Sequence, residues 1–335
     1  MRERYIGELP LTPYPLLLTP YSLLLTPYPF YNMTNSEKIK QHALSLGFDA
    51  CGICRAESAG EEENLRNWIK SGYQGDMSYL ERNIEKRNDP RLLVEGAKSI
   101  VSVALNYYPH EKRNPDLPKF AYYAYGKDYH FVVKDKLKQL LEFIRTIYPD
   151  TEGRFFSDSA PVLERYWAAK AGLGFVGKNT LLIIPGKGSF FFLGELIINQ
   201  ELDYDEPINL SCGSCTRCLE ACPTGAIEQP HLVNATKCIS YQTIEKKGEQ
   251  DEEINTGDWV YGCDVCQLVC PWNRFSKPHN TPEFNPSPEF LSLDLEALKS
   301  MNQEKFSSLF SKSAVKRAKF EGLQRNVRKY EKEQE

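Results

Sequence analysis

Several signals of common enzyme classes are missing from this chain. No G-x-G-x-x-G stands in a strand–helix context and no phosphate-cradling G-x-x-x-x-G-K-[ST] loop is present, so neither NAD nor ATP is signalled. Positive charge is not in excess. Lys and Arg total 41 against 45 Asp and Glu, a formal net charge of −4. That balance argues against a generic nucleic-acid binder, and a polyanionic partner would need a local basic patch. Cysteine is also scarce, with ten in 335 residues, far below a disulfide scaffold. Yet eight of the ten lie between residues 212 and 270, seven of them in C-x2-C or C-x3-C steps. Neighbours that close usually ligate metal rather than cross-link distant loops, and a reducing cytoplasm is the default compartment.

The N-terminus carries LTPYPLL, LTPYSLL and LTPYPFY, a seven-residue repeat in three copies over residues 11–31. It is apolar, but Pro13, Pro15, Pro20, Pro27 and Pro29 would break a membrane helix. Neither a small-residue cleavage site nor a twin-arginine pair accompanies it. Residues 1–32 read as a low-complexity extension. Met33 reads as a plausible true start, because TNSEKIKQHALSLG behind it is a capped amphipathic helix.

Beyond it, FDACGIC reads as a strand, 61–72 as a helix and AKSIVSVALNYYP as a buried strand. FVVKDKLKQLLEFIRTIY is an amphipathic helix, and GRFFSDSAP a strand entering a turn. VLERYWAAKAGLG is a helix ending at Gly. NTLLIIPGKGSFFFLGELII reads as two strands joined by a PGKG turn. These elements predict one α/β (α+β) domain over 33–206. Loops around cysteines fill 207–288, and 289–335 is a helical, basic tail. Its cations, Lys312, Lys316, Arg317, Lys319, Arg325, Arg328 and Lys329, read first as a solvated face.

The cysteine chemistry starts at SCGSCTRCLEACPTGAI. Cys212, Cys215, Cys218 and Cys222 are spaced C-x2-C-x2-C-x3-C-P, the bacterial ferredoxin pattern. In that pattern three thiolates hold one [4Fe–4S] cluster and the fourth ligates the other cluster of a pair. Tetrahedral zinc is the alternative for C-x2-C pairs, but this run is not a zinc-ribbon spacing. The second motif, YGCDVCQLVCPWN, has only Cys263, Cys266 and Cys270. Crossing assigns Cys212, Cys215, Cys218 and Cys270 to one cluster. Cys222, Cys263 and Cys266 then need one more ligand, and Cys238 alone lies between the motifs. Cys51 and Cys54, three apart on a strand, point to opposite faces and read as structural.

The blocks GDMSYLERN, AKSIVSVALNYYP, YAYGKDYH, FSDSAPVLERYWAAKAGLGFVGKNT, CGSCTRCLEACPTGAI, CISYQT and GCDVCQLVCPWN, from about residue 36 to about 328, resemble the epoxyqueuosine reductases. The resemblance implies a nitroreductase-like cobalamin-binding domain followed by a ferredoxin-like domain with two [4Fe–4S] clusters. It further implies reduction of epoxyqueuosine to queuosine at the wobble position of tRNA, the last step of queuosine synthesis. Asp158, in the D-[ST]-x-P block, is implied as the proton donor, with a carboxyl pushed up by a desolvated site. The competing reading of the same residue is an N-cap of the helix that follows. Cobalamin contacts are implied at Arg82, Asp158, Leu182, Leu193, Ser240, Asp264 and Val265. No histidine-based cobalt-binding box stands out, and His130 in KDYH is not assigned to cobalt. Many members continue past the block GLxRN into a helical-repeat domain, whereas this sequence stops soon after EGLQRN. The remaining expectations are a low-potential electron donor, no membrane partner and a monomer. A reductive dehalogenase-like enzyme for a small molecule and a non-catalytic electron carrier are the alternatives.

Overall fold

The structure is a computed structural model that describes residues 33–334. The repeat and the low-complexity reading of residues 1–32 lie outside the described residues. Four strands form an antiparallel sheet in the order β1 (Ala50–Arg55), β2 (Ser99–Asn106), β7 (Phe191–Ile198) and β4 (Gly153–Phe156). Every residue of β2 is buried, because helices cover both faces. Val101, Val103 and Leu105 meet α1 (Asn35–Ser45) and α4 (Tyr129–Ile147) through Ile39, Ala43, Val133, Leu137 and Ile144. Ile100 and Ala104 face the other way, towards α5 (Glu164–Lys170) and its Trp167 and Ala168. Period-two alternation in β2 thus feeds two cores at once. Cys51 belongs to the first core and Cys54 to the second, on opposite faces as their spacing predicts. Burial pushes both thiols up to about 12, which leaves them inert packing groups.

The helix starts follow local chemistry. Thr34 and Glu37 form a reciprocal capping box on α1. Asp128 caps α4 by accepting the His130 N–H. Helix α2 (Glu62–Lys70) and the short α3 (Ile84–Asn88) lie between β1 and β2 in the chain.

The expected PGKG hairpin is not formed as a pair. Its first half is β6 (Leu182–Ile183), which pairs with β5 (Phe175–Val176), while its second half is β7, in the centre of the main sheet. One bridge, Ile184 to Gly188, is all that joins the two halves. The apolar run FFLGELII is worth more buried between two helix layers than paired with its neighbour in sequence.

The cysteine segment contains α6 (Arg217–Glu220), the hairpin β8 (Ile227–Gln229) and β9 (Leu232–Val233), α7 (Ile239–Ile244), β10 (Trp259–Tyr261) and α8 (Val265–Leu268). Strand β10 pairs in parallel with β3 (Lys119–Phe120). Three short helices, α9 (Pro288–Ser292), α10 (Leu295–Lys299) and α11 (Gln303–Phe310), and the longer α12 (Lys319–Gln334) close a third core. That core contains Phe120, Tyr261, Phe290, Phe310, Leu323 and Val327. The C-terminal segment is therefore packed on its inner side. Lys312, Lys316, Arg317, Lys319 and Arg328 are exposed, Lys329 is partly buried, and Arg325 is buried. The Arg325 guanidinium donates to the carbonyls of Gln242, Lys246 and Gly248. Asn326 donates to Thr243 and Val260. Both residues fasten α12 behind α7 and β10.

Candidate active site and cluster ligands

The thiols fall into two sets. The charges of Cys212, Cys215 and Cys270 act on Cys218, and those of Cys212 and Cys215 act on Cys270. These four line one recess with Lys178, Asn179, Ile183, Arg217, Pro271 and Trp272. Separately, Cys222 acts on Cys238, and Cys222, Cys238 and Cys263 all act on Cys266. The grouping is the crossed one, with Cys222 leaving its own run and Cys238 joining Cys263 and Cys266. Among the described residues, no three His, Cys, Asp or Glu side chains converge closely enough for a single metal ion.

Backbone N–H groups already point at the sulfurs. Lys178 N donates to Cys212 Sγ at 3.5 Å and Ala226 N to Cys222 Sγ at 3.3 Å. Lys178 Nζ holds the first loop by the carbonyls of Gly213 and Cys215, at 2.7 and 3.0 Å. Asn179 Nδ2 reaches Cys266 O at 3.3 Å. Adjacent residues of the GKNT block thus tie both cysteine loops to the β5–β6 turn, a role the sequence reading did not assign.

Asp158 follows β4 on a turn, with φ at +56°. A non-glycine residue held there is an outlier that surrounding contacts must maintain. Helix α5 starts at Glu164 after Leu163, with no side-chain cap, so Asp158 is not its N-cap. Instead Asp158 Oδ2 accepts Tyr129 Oη–H at 2.7 Å and lies 3.3 Å from His130 Nε2. His130 Nδ1 lies 2.7 Å from Asp128 Oδ1. Surrounding protein works to raise the Asp158 carboxyl, but hydrogen bonds from His130 and Tyr129 outweigh it and hold it below the usual range. This is opposite to the direction that a desolvated proton donor implies. Burial works against charge on His130, but Asp128 and Asp158 prevail and raise it to about 9. Aspartate and histidine therefore rest as an ion pair with one proton between them.

A row of rings leads from this pair to the second cysteine set. Tyr129 stacks on Phe192 at 4.1 Å, Phe192 lies 4.5 Å from Tyr107, and Tyr107 Oη accepts from Gln267 Nε2 at 3.1 Å. Gln267 adjoins Cys266 in α8. Asp264 is buried and accepts the Tyr122 N–H at 2.7 Å, and burial raises it to about 7. Val265 packs on Ala121, Ile239 and Trp259. The N–H groups of Tyr241 and Ser240 face Cys238 Sγ. Leu182 and Leu193 are buried in the second core, so a ligand contact at either would be made by backbone, and Leu193 O already accepts from Ser157 Oγ. Arg82 is exposed, at the end of the turn Ser78–Glu81.

A family profile described as epoxyqueuosine reductase QueG matches residues 87–159, from α3 through the Asp158 turn. A second, a 4Fe-4S double cluster binding domain, matches residues 211–273 and encloses all eight cysteines of the two sets. The epoxyqueuosine reductase of Cellulophaga algicola is 51% identical over 296 residues, covering 88% of this chain and 97% of that one. This chain belongs to the epoxyqueuosine reductase family. Among solved structures, an epoxyqueuosine reductase with an epoxyqueuosine-modified tRNA-Tyr stem loop is similar at TM-score 0.80 and 35% identity. It covers 88% of this chain and 80% of that chain. The Bacillus subtilis epoxyqueuosine reductase, solved with its catalytic aspartate loop swung out of the active site, gives the same figures. For this epoxyqueuosine reductase homologue, Tyr129 and His130 are the site residues that sequence reasoning passed over. Their only signal was the KDYH block.

Proposed function

We infer that this chain reduces epoxyqueuosine to queuosine in tRNA, with electrons entering through two [4Fe–4S] clusters and reaching cobalamin. The clusters are held by Cys212, Cys215, Cys218 and Cys270, and by Cys222, Cys238, Cys263 and Cys266. Residues 33–206 form the cobalamin-binding part, 207–288 the cluster part and 289–335 its outer support. Arg82, Leu182, Leu193, Ser240, Asp264 and Val265 are the candidate cobalamin contacts beside Asp158. The partly buried rings of Tyr107, Tyr123 and Tyr129, backed by buried Phe192, suit a large, mostly apolar cofactor face. Bound there, cobalamin supplies the reducing centre for C–O cleavage.

The observation that carries this reading is the Asp158 carboxyl, offered on a strained turn with Tyr129 and His130 on one of its oxygens. Opening an epoxide leaves an alkoxide, which departs well only if protonated. A positioned acid contributes about 10²–10⁴-fold to such a step. At rest the proton sits on His130. Covering the site with substrate excludes water and disfavours the charged pair. The proton then moves from His130 to Asp158, and from Asp158 to the leaving oxygen.

The site is ringed by cations although the chain is net negative. Arg165, Arg87 and Arg317 all act on or with the Asp158 charge. Lys134 Nζ holds Ser159 Oγ at 2.6 Å, and Lys316 Nζ lies 5.2 Å from the exposed Phe131 ring. Arg317 is paired with Glu245 and Lys316 lies near Asp128, and the cluster as a whole supports the local basic patch that a tRNA partner requires. Among the described residues no helix is long and apolar enough to cross a membrane, and a cytoplasmic monomer fed by a low-potential donor fits the reaction.

The deciding experiment is anaerobic purification and turnover. About eight irons and one cobalamin per chain are expected, with conversion of epoxyqueuosine in a tRNA stem loop. Asp158→Asn should retain both cofactors and lose turnover by about 10²-fold or more. Iron without cobalamin would overturn the reading.

A further inference from the structure

Beneath the Asp158 turn lies a carboxyl pair that the reaction does not use. Glu195 is the one charged residue of β7, in the otherwise apolar run FFLGELII. It is fully buried, and neither carboxyl oxygen has a hydrogen-bond donor. In register it stands opposite Ser102 of β2 and Phe156 of β4, on the sheet face covered by α5. Ser102 Oγ and Trp167 Nε1, buried on the same face, also lack partners. Glu164 opens α5 and shares its inward face with Trp167 and Ala168, three and four residues on. Glu164 Oε1 accepts the backbone N–H of Asp158.

Glu164 and Glu195 act directly on each other, and two carboxylates so placed, one of them fully buried, cannot both be charged. With neither protonated, Glu195 has nothing to bond to. With one proton, the two carboxyls hydrogen-bond to each other. The partners decide which keeps it. Glu164 is raised to about 8 by burial and by the Asp158 charge, with the Asp158 N–H and Arg165 pulling it back; both partners therefore hold a proton more tightly than a free carboxyl does. Glu195, raised by burial and by Glu164, has no cation or N–H facing it. Cys54 of β1 is the other titratable group that feels Glu195, and its own thiol stays protonated. Glu195 is therefore the member that gives up its proton last.

We propose that buried Glu195 and Glu164, joined by a shared proton, form a latch that holds the Asp158 turn in its left-handed conformation. Glu195 Oε–H donates to Glu164, which fixes the Glu164 carboxyl where its Oε1 accepts the Asp158 N–H. The pair touches no reacting atom, so both are positioning residues. The inference rests on Asp158 being the proton donor. It adds that the turn's position depends on one buried proton.

The test uses the cofactor-loaded holoenzyme and two readouts, amide hydrogen exchange of the segment 157–163 and single-turnover rate on the modified stem loop. Glu164→Ala should expose 157–163 to exchange and slow turnover about 10²-fold, with iron and cobalamin contents unchanged. Glu195→Leu should do the same. Glu195→Gln, whose amide still donates to Glu164, should restore protection and most of the rate. It should also remove the alkaline loss of protection, corrected for intrinsic exchange, that wild type shows when the pair loses its proton. Unchanged protection in Glu164→Ala, or equal loss in Glu195→Gln and Glu195→Leu, would overturn the latch. Should Glu195→Leu fail to fold, Glu164→Ala and Glu195→Gln still decide it. Failure of the donor reading looks different, since Asp158→Asn would then keep its turnover whatever the exchange data show.

Discussion

His130 illustrates how a single side chain sets the charge state of the site. It lies between Asp128, at 2.7 Å, and Asp158, at 3.3 Å. Because its folded value is raised to about 9 from 6.5, its contribution to stability is complete below about pH 6.5. That contribution is lost as pH rises through about 9. Glu195, whose proton is held in place by burial and by the neighbouring Glu164, slopes the same way. The informative quantity is thus the difference between wild type and His130→Gln. Denaturant midpoints between pH 6 and 9.5 should fall more steeply in wild type, and parallel curves would remove the ion pair. Turnover should share the alkaline limb, because a neutral His130 leaves Asp158 without its proton source. In His130→Gln the rate should be low throughout and lack that limb.

At the scale of elements, the C-terminal helix is a brace for the second cysteine set. Asn326 alone satisfies two buried carbonyls, Thr243 O in α7 and Val260 O in β10. These elements flank Cys238 on one side and Cys263 on the other. Asn326→Ala leaves both carbonyls unpaired, at about 1–3 kcal/mol each. The variant should lower the melting temperature and lose iron faster under a chelator, and an unchanged chelation rate would argue against the brace. The element scale is also where the sequence was least legible. The cysteine sets had a signal in the sequence, because the ferredoxin spacing carries a crossing rule and the count left one place for Cys238. The partnership of β7 had none, because burial between two helix layers chose β2 and β4 over the neighbouring strand. The Asp158 site was half legible. Asp158 came from a motif, but Tyr129 lies 29 residues away and Glu195 reaches the turn only through the sheet. Contacts made by folding leave no local pattern. Glu195 did leave a trace, one carboxylate in a strand otherwise free of charge.

For the whole molecule, the question is how a chain of net charge −4 takes a polyanion. Lys134, Arg165, Lys316 and Arg317 gather from α4, α5 and the turn before α12 to one mouth around Asp158, beside an exposed phenylalanine. Attraction at such a mouth works over about 8–10 Å at ordinary ionic strength, so distant acidic surface counts for little. Each cation that meets a phosphate releases counterions, and the salt dependence of binding counts them. Lys134→Ala and Lys316→Ala should each raise KM for the modified stem loop several-fold at low salt. Each should lower the slope of log KM against log salt by about 1. Phe131→Ala should raise KM with the slope intact, since stacking on a base releases no ions. If Phe131→Ala changed the slope as much as a lysine variant, its ring would be acting by holding Lys316 in place, and the aromatic contact would drop out of the tRNA surface.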